Sequence, residues 1–213
     1  MKKRTVKLTR RHKPTQERAK ETVEAILATT AALLDEVGVE RFNTNLLAER
    51  AGIRVRTVYR YFPNKYAVII ALTEAMTGQW ELWNAGLYER LADPREDWKA
   101  AFRDARIEWL RNARRVPGSL SVLQAMNATP ELKELHFRIF EDMSQRTAAA
   151  LKARGLRLPA AKLISIARTV VNATNTGVDV SLQLRGGETA QFCAELDLSL
   201  ERYLEPYLQD LTA

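Results

Sequence analysis

Residues 44–65 read TNLLAERAGIRVRTVYRYFPNK, and this stretch decides how the chain is read. Two short helical patterns flank a turn at Gly52, and the second is rich in Arg, Thr and Tyr. That is the layout of a helix-turn-helix whose second helix enters the DNA major groove. Thr44 is placed to cap the first helix with its hydroxyl, with Leu46, Leu47 and Ala51 inward. At 100° per residue the second helix, about Val55 to Tyr61, sets Val58 and Phe62 together as an apolar underside. Arg56 and Arg60 point the opposite way, flanked by Thr57 and Tyr59. Arg forks can grip guanine O6 and N7, while Thr and Tyr hydroxyls donate to phosphates. Lys65 falls in the first turn of the following helix, where free backbone N–H groups already favour an anion, and suits a phosphate clamp.

Charge concentrates near this stretch. The formal net charge is +7 over 213 residues. Residues 1–14 carry Lys2, Lys3, Arg4, Lys7, Arg10, Arg11 and Lys13 with no acid. Residues 15–66 hold eight basic and seven acidic side chains, and residues 67–213 hold eighteen and nineteen. An acid-free basic arm is expected to be disordered when free. Next to a groove-reading motif it is expected to pack on phosphates or enter a minor groove, with Arg4, Arg10 and Arg11 as contacts.

The remaining composition excludes several classes. No apolar run approaches the ~20 residues that span a bilayer, and the basic N-terminus has no apolar segment behind it to make a secretory signal. A single cysteine, Cys193, excludes an internal disulfide framework, and a cytoplasmic protein is expected. His12 and His136 lie far apart. There is no nucleophile–base pair, metal-ligand spacing or Gly-rich phosphate loop, so neither an enzyme nor a cofactor is expected.

Helical periodicity covers the chain. A first helix runs from about Thr15 to Val37, with Gly38 set to stop it in the left-handed conformation. Asn64 caps a helix reaching about Leu87, striped with Ile69, Leu72 and Met76. Further helices are expected at roughly 95–115, to about 127, from Pro130 to near 154, and at about 159–185 and 188–211. The fold is expected to be all-α with about nine helices. Residues 1–14 form the arm, 15–66 a three-helix DNA-binding domain and 67–213 a larger helical domain.

Leu47-Ala48, Ala51-Gly52-Ile53, Thr57-Val58-Tyr59-Arg60-Tyr61-Phe62 and Asn64-Lys65 resemble the signature of TetR-family transcriptional regulators, over about residues 20–72. The resemblance implies that Val55 and Arg56 at the helix tip touch bases. It implies that Thr44, Thr57, Tyr59, Tyr61 and Lys65 hold the DNA backbone. Helical geometry alone ranks Arg60 above Val55, and both arguments agree on Arg56. Two positions depart from the pattern. Arg54 stands where a small capping residue such as Ser is usual, at a cost of about 1 kcal/mol, and Arg56 stands where a small residue is common.

One reading helix covers too few base pairs for a unique genomic address, so a homodimer on a palindromic operator is expected. The last two helices carry apolar stripes, Leu163, Ile166, Val170, Val178 and Leu182 on one, Leu196, Leu200, Tyr203 and Tyr207 on the other. The resemblance implies that these helices pair into a four-helix bundle between subunits, and intramolecular core is the competing reading. It also implies that the 67–213 domain binds a small effector. Trp80, Trp83, Trp98, Phe102, Trp109, Met126, His136 and Phe140 are candidates for an apolar pocket, with Asn172 and Asn175 as its polar wall. Core packing competes for each aromatic and for His136. The expected function is a homodimeric repressor released from its operator by a small, largely apolar ligand. The alternative is an architectural or cell-division-linked DNA-binding protein on the same fold without an inducer. A sealed core favours the alternative, and a cavity favours the repressor.

Overall fold

The structure, a computed structural model, describes residues 16–209, so the arm contacts Arg4, Arg10 and Arg11 lie outside the described residues. Nine α-helices follow one another among the described residues: α1 (Glu17–Arg41), α2 (Thr44–Arg50), α3 (Val55–Tyr61), α4 (Lys65–Ala92), α5 (Trp98–Ala113), α6 (Ser119–Ala128), α7 (Lys133–Ala153), α8 (Ala160–Gln183) and α9 (Gly187–Leu208). A 3-10 turn, Pro130–Leu132, precedes α7, and no strand occurs among the described residues. The all-α expectation holds. The reading helix has the expected bounds, whereas α4 runs a turn past Leu87, up to the break that Pro94 imposes.

Two compact units emerge. One comprises residues up to Gln79 together with Ala113–His136, and the other Trp80–Asn112 with residues from Phe137 on. In the first unit Ile26, Leu33 and Leu34 of α1, Leu47 of α2, and Val58 and Phe62 of α3 are buried. Positions 67–72 of α4 are buried without interruption. A helix apolar all round belongs in the middle of a core, and that is where the first turns of α4 lie. Seven-residue helices such as α2 and α3 are too short to persist on propensity, so burial and capping must hold them.

The α2 cap is not the expected residue. Asn43 occupies the N-cap, and its Oδ1 accepts from the backbone N–H groups of Asn45 (3.1 Å) and Leu46 (3.0 Å). Thr44 is the first helical residue, buried, and its hydroxyl meets the Tyr59 hydroxyl at 3.0 Å. Asn43→Ala should therefore destabilise the protein by about 1 kcal/mol. Its melting temperature should fall by roughly 2–4 °C in a circular-dichroism scan. An unmoved melt would show that the cap contributes nothing.

Gly38 takes φ 70°, as a helix-ending glycine should, but one further turn follows it before Arg41. Lys65 attends to this break, its Nζ donating to the carbonyls of Val39 (3.0 Å) and Phe42 (3.2 Å). The segment after α5 is pinned to α1 by Asp35. Its carboxylate accepts from the Gly118 backbone N–H (2.7 Å) and the Ser121 hydroxyl (2.6 Å).

The second unit has its own core, built around Leu91, Trp98, Leu151, Ile166, Leu200 and Leu204. The turn between α4 and α5 leaves carbonyls without helical partners. Arg154, buried just past the end of α7, donates to those of Asp93 (2.7 Å) and Glu96 (2.8 Å).

Candidate functional site

The helix-turn-helix is built on the turn between α2 and α3. Gly52 has φ 64°, and the Ile53 N–H bonds to the Ala48 carbonyl (3.0 Å), a helix-ending pattern that needs the left-handed conformation. A side chain added at Gly52 would meet nothing within 4 Å, so φ alone requires the glycine. α3 begins without a side-chain cap, as Arg54 implies, and opens on a Thr57 N–H bond to the Arg54 carbonyl (2.7 Å).

The underside of α3 is Val58 and Phe62, joined by Tyr61, all buried. Tyr61 was expected to hold a phosphate. Its ring is core instead, and its hydroxyl accepts from the Arg60 guanidinium at 2.9 Å. Arg60 lies 5.0 Å from the Tyr61 ring centroid, so part of its bonding capacity is spent within the helix. Arg54, Val55, Arg56, Tyr59 and Arg60 are exposed, and Thr57 is half-buried. Val55, 37% exposed at the helix tip, is an apolar side chain with no intramolecular reason to face water. Exposed apolar contact of this kind suits a thymine methyl, and Arg56 beside it suits a guanine edge. Lys65 is half-buried, with two of its three donors engaged on carbonyls, so the structure gives it a bracing role between α4 and the end of α1.

The second unit contains a cavity of about 50 Å³. Of the expected pocket residues, Phe102, Trp109 and Asn175 line it, and Trp83 backs Trp109 edge-on with ring centroids 6.1 Å apart. Trp98 belongs to the unit's core, and Trp80 and Phe140 are buried off the lining. Asn172 is exposed and donates to its own helix at the Arg168 carbonyl. Met126 and His136 fall in the other compact unit, because 113–136 folds with the N-terminal helices. Burial lowers the His136 pKa, which keeps the ring neutral near pH 7.

Sequence reading missed Asn84, Tyr88, Arg106 and Thr174 in the lining. Arg106 is buried and bidentate to Asp197 of α9, its Nε donating at 2.9 Å to one carboxylate oxygen and its Nη2 to the other. Tyr88 is held neutral, its phenol pushed up to about 12 by burial. A signal for Arg106 existed, since it sits on the stripe of Trp98, Phe102, Ala105 and Trp109. A cation on an apolar face needs an acid on a facing one.

The expected dimer stripes face inward. Leu163, Ile166, Val170 and Leu200 are buried in the unit's core, and Val178 is buried against the cavity that Val170 also lines. Leu196, Tyr203 and Tyr207 pack partly buried on that core, and Leu182 is half-buried. A helix spends its most apolar stripe on its own subunit first, so a second, outer face is necessarily less apolar. On α9 that outer face includes Leu198, 46% exposed.

Comparison with known proteins places both regions. Residues 26–72 match the family model of bacterial regulatory proteins of the tetR family, and residues 97–204 match that of the tetracyclin repressor-like C-terminal domain. The tetracycline repressor protein class C of Escherichia coli is 45% identical over 53 residues, 25% of this chain and 24% of its own length. The class G protein of Vibrio anguillarum is 33% identical over 100 residues, 42% of this chain and 43% of that one. The chain thus matches about a quarter to under half of the length of these curated relatives. A TetR-family transcriptional regulator from Streptomyces coelicolor superposes with TM-score 0.62 at 25% identity, over 87% of this chain and 99% of that one. SmeT, solved in complex with triclosan, shares the fold with TM-score 0.64 at 24% identity, over 88% and 91%.

Proposed function

The chain belongs to the TetR family of bacterial regulatory proteins, and we propose that it is a homodimeric repressor released from a palindromic operator by a small ligand. The observation that carries the DNA-binding part is the tip of α3. Val55 and Arg56 stand exposed there, on a helix whose opposite side is fully engaged in the core. Direct readout needs that combination of a rigid underside and a free, chemically mixed tip. Tyr59 and Thr57 supply hydroxyls for phosphates, and the basic residues 1–14 add sequence-independent attraction.

Dimerisation follows from the readout problem, since one helix tip distinguishes only a few base pairs. The outer faces of α8 and α9, with Leu198, are the surface we assign to it. The effector part rests on the cavity. At about 50 Å³ it exceeds the ~10–15 Å³ a single water needs and falls short of the ~150 Å³ of an engineered cavity that binds benzene. A ligand must therefore enlarge it, and Met143 in its wall has the rotatable bonds to move. Release of DNA requires that the ligand prefer the conformation with lower operator affinity. SmeT, similar in fold, was solved as a complex with triclosan.

The test is a gel-shift and footprint series on promoter fragments with competitor DNA. A dimer should protect two half-sites about one helical turn apart. Arg56→Ala should weaken binding by about 1–3 kcal/mol and relax the base preference at one position per half-site, leaving others unchanged. Equal affinity for operator and competitor DNA would sink the proposal.

A further inference from the structure

We propose that the cavity of the second unit accepts an aromatic molecule bearing a positive charge, a cationic amine in the simplest case, and rejects anions. This rests on the reading of the cavity as an effector site. Charge is the first argument. Arg106 is the only formally charged residue in the lining, and both edges it uses are taken by the Asp197 carboxylate. No cation is therefore left unpaired in the lining to meet an anionic ligand. One turn beyond Asn175 on α8, Asp179 has a buried carboxylate oxygen with no hydrogen-bond partner. Asp179 does not line the cavity, but a buried acceptor without a donor is costly, and a donor brought near it relieves that cost.

The neutral groups point the same way. Tyr88, Phe102 and Trp109 give the cavity three aromatic rings, whose negative faces attract organic cations when desolvated. Asn84 donates its amide Nδ2 to the Trp80 carbonyl (2.8 Å), and Asn175 donates its own to the Val171 carbonyl (2.7 Å). A carbonyl only accepts, so these bonds fix which end of each amide is turned to its helix and leave Oδ1 as the end turned away. The Thr174 hydroxyl oxygen, buried in the same wall, has no partner. Aromatic faces, amide oxygens and an unpartnered hydroxyl are the complement of an ammonium with N–H donors.

Three shape-matched probes separate the possibilities: benzylammonium, benzyl alcohol and benzoate, titrated at neutral pH by calorimetry and by tryptophan fluorescence. The expected order is cation, then alcohol, then anion. The cation should bind at least about tenfold tighter than benzoate, equivalent to about 1.4 kcal/mol. Asn175→Leu, checked for folding by circular dichroism, should narrow that ratio. Benzoate binding as tightly as benzylammonium overturns the charge assignment while leaving a ligand-responsive repressor intact. No binding by any of the three overturns the cavity as a ligand site. Benzylammonium that binds without releasing operator DNA in the gel shift upholds the inferred chemistry and removes the effector role from the proposed function.

Discussion

Asp197→Ala is expected to lower the stability of the protein by about 3–5 kcal/mol, because it strands a buried guanidinium. The Arg106 side chain is 7% exposed and that of Asp197 17%, so neither group is rehydrated by a small movement. The pair ties α5 to α9 across 91 residues of sequence with two charge-assisted bonds. For a chain of this length the loss corresponds to a melting temperature roughly 6–20 °C lower. Chemical denaturation should show the same loss at an unchanged slope. Replacing both partners at once, Arg106→Met with Asp197→Leu, should recover most of the loss, since the cost lies in the unpaired charge rather than the missing bond. The variant carries a second consequence. Arg106 lines the cavity, and without Asp197 its fork is free, so benzoate should gain affinity relative to benzylammonium. An unaltered melt would mean that the pair adds nothing to the native state, and an unaltered probe order would mean that Asp197 does not set the cavity's charge preference.

What the sequence displayed and what it concealed divide along the range of the interactions. The reading helix was legible because everything that defines it is local: the Ala-Gly turn, the spacing of Val58 and Phe62, and the Pro-Asn stop. The α2 cap was half legible. Asn43, Thr44 and Asn45 can each cap a helix, and only the backbone conformation at Asn43 (φ −149°, ψ 163°) decides among them. The bracing bonds of Lys65 were not legible, because its carbonyl partners lie 23 and 26 residues away, beyond any local pattern.

Long-range docking also explains the pocket residues. Met126 and His136 sit on helices whose periodicity resembles that of α5, yet the contact of Asp35 with Gly118 and Ser121 draws 113–136 to the first unit. The stripes of α8 and α9 were real, but periodicity states that a face is buried, not by which molecule. Arg106 and Asp197, each on an otherwise apolar face, are a long-range pairing that the sequence exposed in principle.

Gly118→Ala tests whether that docking matters. Gly118 has φ 78°, where a side chain costs about 1–2 kcal/mol, and a Cβ there would lie 2.7 Å from the Ala31 Cβ and 2.8 Å from the Ala31 Cα. The second contact is with the backbone of α1, which no rotamer change relieves, and overpacking of this kind adds about 1–3 kcal/mol. The expected loss is therefore about 2–5 kcal/mol, with a melting temperature roughly 4–20 °C lower. Gly52→Ala is the matched control, since Gly52 has φ 64° and its added Cβ would meet nothing within 4 Å. It should lose the conformational part alone, and the difference between the two variants measures the α1–α6 contact. Asp35→Ala attacks the same contact from its polar side, so combining it with Gly118→Ala should cost less than the sum of the two. If Gly118→Ala melts like Gly52→Ala, the α1–α6 contact contributes nothing measurable. If it melts lower, residues 113–136 are a structural part of the DNA-binding unit. Operator affinity should then fall in step with the unfolding of that unit as temperature rises.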